Sequence, residues 1–405
     1  MMRNLLSVSL AGAALAAGSA LAQPAPDAAR TPPPDPPGET VLPPEPVTAS
    51  PSPPPPAASP DQPVTVDELV IGSGDRIDLN FFGDVSLLKV SDEDPGFAVG
   101  PIGFQVAAHL APGLTGRTEF AMELGEGETI VDVERAYLEY RTARWLVSAG
   151  RTHAEFGYWN NAFHHGRWLQ LTIDRPHVLR FEDDGGMLPV HQIGATLIYG
   201  PRRGEGGVEL AAGIGNGHGR VLEAIQNVGD NNADKSVLLR LGIVGLGHPS
   251  LRLGVNLALD NIAPEPATVR PLAPDKSILE IIGGAYLSMR AERLLVFSEA
   301  YSVVHRADGK TYQVTDGFFL VGYRIGKLIP YAQVEARYGD GDKDPYYNPD
   351  PSIGSETVAP TNYVEGIGGL HYDLNPWSAL KLEVTGRNQD SGNDYRVELN
   401  WSFGR

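Results

Sequence analysis

The chain has 405 residues, with 47 Gly, 34 Pro, no Cys and a formal net charge of −18. The lack of Cys excludes disulfides, thiolate metal sites, thiol catalysis and a lipidated N-terminal cysteine, and the acidity argues against a nucleic-acid partner, which wants a basic face. No run of about 18 uncharged apolar residues follows the N-terminus, so a helical span is not expected; an exported soluble protein and a β-barrel with alternating strands remain.

Met1 to Ala22 has a charged start at Arg3, an apolar stretch from Leu5 to Ala17, and the small-x-small close Ala20-Leu21-Ala22. Residues 1–22 therefore read as a secretory signal peptide, its apolar part too short for an anchor. Residues 23–64 follow as a linker. Pro24 to Pro63 holds 17 of the 34 prolines and five acids against Arg30. Proline fixes φ and lacks the N–H, so an extended, disordered periplasmic tether is expected, with the cell wall as one partner it could reach.

Residues 75–405 read as one array of strands. Leu251, Leu253, Val255, Leu257 and Leu259 share one face, and Arg252, Asn256 and Asp260 the other. That period of two marks a strand. It recurs over 75–87, 97–110, 114–124, 130–142, 145–151, 188–199, 207–215, 236–245, 251–260, 277–290, 294–305, 312–325, 328–338, 361–373, 378–387 and 393–403. Short links such as Ala-Pro-Gly, Gly-Lys and Asn-Pro-Trp alternate with links that include long ones near 152–187, 216–235, 261–276 and 339–360. Turns on one rim and loops on the other predict an all-β transmembrane antiparallel barrel of about 16 strands, with a long third extracellular loop. A soluble β-sandwich also alternates, but these strands have the length a tilted bilayer crossing needs.

A barrel that wide encloses water. Its expected lumen face carries Arg117, Arg135, Arg141, Arg252, Arg324, Arg337, Glu335 and Glu383. The third long link holds Arg151, His153, His164, His165, Arg167, Arg175, His177 and Arg180, opposed only by Glu155 and Asp174, with Phe156, Tyr158, Trp159, Phe163 and Trp168 interleaved. A basic, aromatic-stiffened loop folded inward would form a constriction favouring anions.

The last segment runs Tyr395-x-Val397-x-Leu399-x-Trp401-x-Phe403 and then Gly404-Arg405. It resembles the C-terminal signal by which the barrel assembly machinery recognises outer-membrane proteins, except for the two residues after Phe403. The run Gly150-Arg151-Thr152-His153 through Phe156-Gly157-Tyr158-Trp159-Asn160, with His164-His165-Gly166 and Arg175-Pro176, resembles a loop region of Gram-negative porins, most nearly the phosphate-selective group. The resemblance implies a sixteen-stranded pore in outer-membrane lipid, an inward third loop, and often a homotrimer.

No catalytic motif, cofactor or metal site is expected. The four histidines lack metal spacing. Asp340-Gly-Asp342-Lys-Asp344 begins like a calcium loop, but Pro345 and Pro351 stand where Gly and Glu are needed, so a solvated acidic loop is expected. Gly213 to Gly219 lacks the strand–helix context of nucleotide binding. The function expected is a water-filled outer-membrane channel for passive diffusion of small hydrophilic solutes or ions. The alternatives are a structural anchor using the proline-rich arm, and a barrel enzyme.

Overall fold

The computed structural model describes residues 77–405 except 92, 126–128, 164–166, 182–185, 203, 222–224, 231–232, 265–275, 348–360 and 390–391. Residues 1–64, expected from the sequence to be a signal peptide and a proline-rich linker, lie outside the described residues.

Seventeen strands are present: β1 (Ile77–Val90), β2 (Gly96–Val99), β3 (Ile102–Ala111), β4 (Leu114–Leu124), β5 (Thr129–Arg141), β6 (Trp145–His153), β7 (His191–Tyr199), β8 (Gly207–Gly215), β9 (Ser236–Val244), β10 (Arg252–Ile262), β11 (Ile278–Arg290), β12 (Leu294–Ala307), β13 (Lys310–Tyr323), β14 (Leu328–Gly339), β15 (Tyr363–Asn375), β16 (Ser378–Gln389) and β17 (Gly392–Gly404). From β3 onward each pairs antiparallel with the next, and β17 returns to β1. The sheet is a closed barrel without free edges, so the backbone groups of its strands pair within the sheet.

Sixteen wall positions hold seventeen strands because one position is split. β1 pairs with β3 through Ile77–Phe82 and with β2 through Val85–Leu88. The break falls at Gly100-Pro101, where proline has no N–H for the ladder. The single segment expected over 97–110 is therefore two strands in line.

The alternation sorts side chains by face. On β16, Ala379, Lys381, Glu383 and Thr385 are buried, while Leu380, Leu382 and Val384 are exposed. On β10, Asn256, Ala258 and Asp260 are buried, and Val255, Leu257 and Leu259 are exposed. Exposed Tyr140, Trp145, Tyr323 and Tyr372 sit near the short-turn rim, as an interfacial aromatic girdle would. An outer face of Leu, Val and Ile on a closed barrel is a lipid-facing surface.

Replacing Leu257 by Arg is expected to cost about 2–4 kcal/mol in lipid, the range for a cation near the bilayer midplane. Arg252→Leu should cost less, because it removes a half-exposed pair with Glu209 at 2.7 Å. Urea unfolding of both variants in liposomes would compare them, and an equal loss would place Leu257 away from hydrocarbon.

Candidate functional site

The interior is divided by the link between β6 and β7. Its neck is tied shut: the Ala154 N–H donates to Val190 O at 2.9 Å, and the Asn160 amide donates to Ala154 O and Val190 O at 3.1 and 3.0 Å. Beyond the neck stands one helical turn, Trp159–Ala162. Its aromatics dock on the wall, Phe156 on Tyr301 (ring centroids 5.1 Å apart), Tyr158 on Phe297 (6.2 Å) and Trp159 on Phe318 (5.4 Å). Glu299 of β12 accepts the N–H groups of Tyr158 and Trp159 at 2.9 and 2.6 Å.

The rest of the loop continues along the same wall. Lys381 of β16, fully buried, donates to the carbonyls of Arg167, Gln170 and Thr172. Arg167 pairs with Asp84 of β1 and with Asp174, both at 2.9 Å. Asp174 also pairs with Arg396 of β17 at 2.5 Å. Burial opposes its charge, but these two guanidinium groups outweigh it and hold the carboxyl down at about 2. Glu335 of β14 accepts the His177 N–H at 2.6 Å. The loop thus packs along the half of the barrel running from β10 through β17 to β1.

The opposite half is open. A cavity of about 840 Å³ begins at short-turn residues including Gly113, Thr142 and Pro201 and runs along β3 to β9. Arg117, Arg135, Arg141 and Arg240 line it, with Arg144 at its mouth, against Glu139, Glu155 and Glu209. The loop contributes His153, Glu155 and Asn161 to this space. Arg240 ties the two sides together, meeting Glu155 at 2.9 Å and Gly157 O at 3.1 Å.

No family model matches the chain, and no curated protein matches it. Solved structures do. A loop-deletion variant of OmpT, an outer membrane protein of Vibrio cholerae, is 14% identical with a TM-score of 0.55, over 82% of this chain and 100% of that one. The outer membrane channel DcaP of Acinetobacter baumannii is 14% identical at 0.51, over 81% and 97%. OmpF of Salmonella typhi, solved with daunomycin, is 13% identical at 0.50, over 81% and 97%.

The fold is that of an outer-membrane β-barrel. Within it, the residues singled out by sequence separate. Arg151 is on the β6 wall, donating to Glu134 O (3.0 Å) and Gln226 Oε1 (2.6 Å). His153 ends β6, its ring edge-on to His191 at 5.9 Å. His164 and His165 lie outside the described residues. Arg175 donates to Asn160 at 3.1 Å and covers the Phe181 ring. Arg180 lies 3.3 Å from His177 Nε2. Only Glu155 and Asp174 oppose this cluster along the sequence, but in the barrel Asp84, Glu365 and Glu398 from distant strands also face it.

The wall residues fall on the inward face. Arg117 meets Glu139 at 3.1 Å, and Arg135 meets Glu119 at 2.6 Å. Arg141 is half exposed, 3.6 Å from Glu139. Arg252 pairs with Glu209, Arg324 with Asp373 and Arg337 with Asp316. Glu335 and Glu383 are buried beneath the loop, Glu383 accepting the Ile173 N–H at 3.1 Å. Tyr395, Val397, Leu399 and Trp401 face outward.

The acidic run 340–344 is not wholly solvated. Asp344 is buried and 2.7 Å from His305, which also meets Glu280 at 2.9 Å. Glu280 meets His218 at 3.0 Å, so parts of two long loops are tied to β11 and β12. His177, Glu335 and Glu365 offer ligand atoms within 4.8 Å of one another. The Arg387 guanidinium lies against both His177 and Glu365, where a cation would sit.

His177 gives a pH prediction. It meets Glu335 from β14, Glu365 and Tyr363 from β15, Arg387 from β16 and Arg180 from its own loop. Burial, helped by the two arginines against Glu365, pulls the imidazole down to about 4. Released from the wall it would titrate near 6.5. The released state therefore binds the proton first, and docking weakens as pH falls from about 6.5 toward 4, by about 3 kcal/mol in all. Amide exchange within the loop should speed up over that window, and His177→Gln should flatten the response. An unchanged pH profile in His177→Gln would assign the effect to other groups.

Proposed function

We propose that this protein is a passive diffusion channel of the outer membrane for small hydrophilic solutes. The open cavity along β3 to β9 carries the reading, because the third loop fills the other half of the barrel and leaves this path lined by charge. Glu155 and Asn161 of the loop border this path, and Glu155 meets Arg240 of the wall at 2.9 Å. Five arginines, Arg144 at the mouth among them, against three glutamates lean the path toward anions. The leaning comes from wall residues Arg117, Arg135, Arg141 and Arg240 rather than from Arg167, Arg175 and Arg180, which are engaged on the packed side. The outer-membrane channel DcaP has the same fold, which supports the reading. A homotrimer belongs to it as well, since OmpT of Vibrio cholerae has a described trimer form.

The purified full-length chain should give stepwise conductance in a planar bilayer, with a reversal potential favouring anions in a salt gradient. Arg141→Glu should move that potential toward cations, because Arg141 is half exposed and its charge meets solvent in the path. Correctly folded protein that conducts no current would end the channel reading. Conductance with an unmoved potential in Arg141→Glu would end only the selectivity assignment.

A further inference from the structure

The outer face is not uniformly ridged. Across β7, β8 and β9 the paired row Leu197–Ala212–Leu239 sets a small residue between two leucines. The dip opens into an apolar groove of about 500 Å³, walled by Trp145, Leu197, Leu210, Leu239, Leu241 and Leu257. Each of these six side chains is exposed. At the short-turn end, Trp145 and Tyr199 close the groove with ring centroids 4.7 Å apart.

Directly beyond those aromatics the rim turns basic. Gly200 N donates to Arg144 O at 3.0 Å, joining the turns 142–144 and 200–206. Glu205 meets the Arg144 guanidinium at 2.9 Å and accepts the Arg202 backbone N–H at 3.3 Å, so residues of both turns meet at one carboxylate. The carboxylate engages one guanidinium, that of Arg144, while the Arg202 side chain is exposed on the same rim. The sequence is therefore apolar groove, aromatic collar, cationic rim, read from mid-wall to the rim.

We propose that this groove holds an acyl chain of an anionic phospholipid from the periplasmic leaflet, with its phosphate against Arg202 and Arg144. The inference rests on the outer-membrane reading, which puts the short turns at the periplasmic interface. A hydrocarbon chain fits a trough floored by alanine. Tyr and Trp suit the glycerol–ester level, where one end is apolar and the other wet. Guanidinium donors match a phosphate in charge and fork geometry. A two-fold partner on the same face would instead set arginine against arginine.

The test is native mass spectrometry of the full-length chain in mild detergent, titrated with phosphatidylglycerol or phosphatidylcholine of identical acyl chains. Wild type should retain phosphatidylglycerol several-fold better. Arg202→Gln should reduce that preference, and Ala212→Phe should remove retention of both lipids by filling the trough. Bilayer conductance should stay at the wild-type level in both variants, so failure of the lipid site is distinguishable from failure of the channel. Equal retention of the two lipids by wild type overturns the phosphate assignment. Retention unaffected by Ala212→Phe, or a second copy of the chain cross-linked over the groove, overturns the site.

Discussion

Removing Trp401 to Arg405 is expected to leave exported chain that never closes into a barrel. β17 meets β1 through nine register pairs, and four of them, Phe82↔Gly404 to Val85↔Trp401, use the deleted residues. Phe81 and Arg405 also exchange backbone hydrogen bonds at 2.6 and 2.7 Å. Gly404 and Arg405, which depart from the usual terminal pattern, thus belong to the seam and extend it beyond Phe403. The truncation strips Phe82 to Val85 in the middle of β1 on one side and frees Ser378, Ala379 and Leu380 on β16. The seam and its neighbour thus lose ladder partners at the short-turn rim, and a barrel left open there exposes sheet edges that a bilayer cannot satisfy. The truncated chain should accumulate in the periplasm and lose the gel-mobility change that folded barrels show on heating. Heat-modifiable mobility in the truncation would count against a role for these residues in assembly.

The wall was legible because a strand between lipid and water must alternate, and each of the sixteen alternating segments marks a wall position. The split at Gly100-Pro101 leaves a trace in the sequence, because apolar Phe97 and Val99 fall on odd positions and Ile102, Phe104 and Val106 on even ones, but a single segment over 97–110 reads past that change of phase. The inward loop announced itself through Phe156, Tyr158, Trp159 and Phe163, aromatics that a solvated loop would not hold. Which charges meet open water was not legible. Along the chain only Asp174 stands near Arg167 to oppose it, yet Asp84 lies 83 positions away and Glu398 more than two hundred. Electrostatics follows distance through space, and barrel closure joins the two ends of the sequence. Lys381 gave no distinguishing signal either. It alternates with Leu380 and Leu382 like any lumen residue, and only the loop lying over it converts it from a solvated charge into an anchor.

Replacing Lys381 by methionine is expected to loosen the third loop without opening the barrel. Methionine is apolar and unbranched, so it can fill the same fully buried space while removing all three donors. The carbonyls of Gln170 and Thr172, bonded at 2.9 and 2.8 Å, lose their partner together with that of Arg167. A buried acceptor left unmade costs about 1–3 kcal/mol, so three of them outweigh any single ion pair holding the loop. Arg167 with Asp84 and Asp174 with Arg396 remain as tethers, so residues 167–174 should fluctuate against the wall rather than leave it. The β16 ladder to β15 and β17 is backbone pairing and does not involve the ammonium group. Heat-modifiable mobility should therefore stay normal, while the open-channel current splits into fluctuating levels and the loop becomes open to limited proteolysis. A quiet single current level with a protected loop would show that the aromatic docking on β12 and β13 fixes the loop unaided. The contrast with Ala379→Val, a neighbouring change on the same inward face that leaves the ammonium in place, separates loss of these bonds from general disturbance of β16.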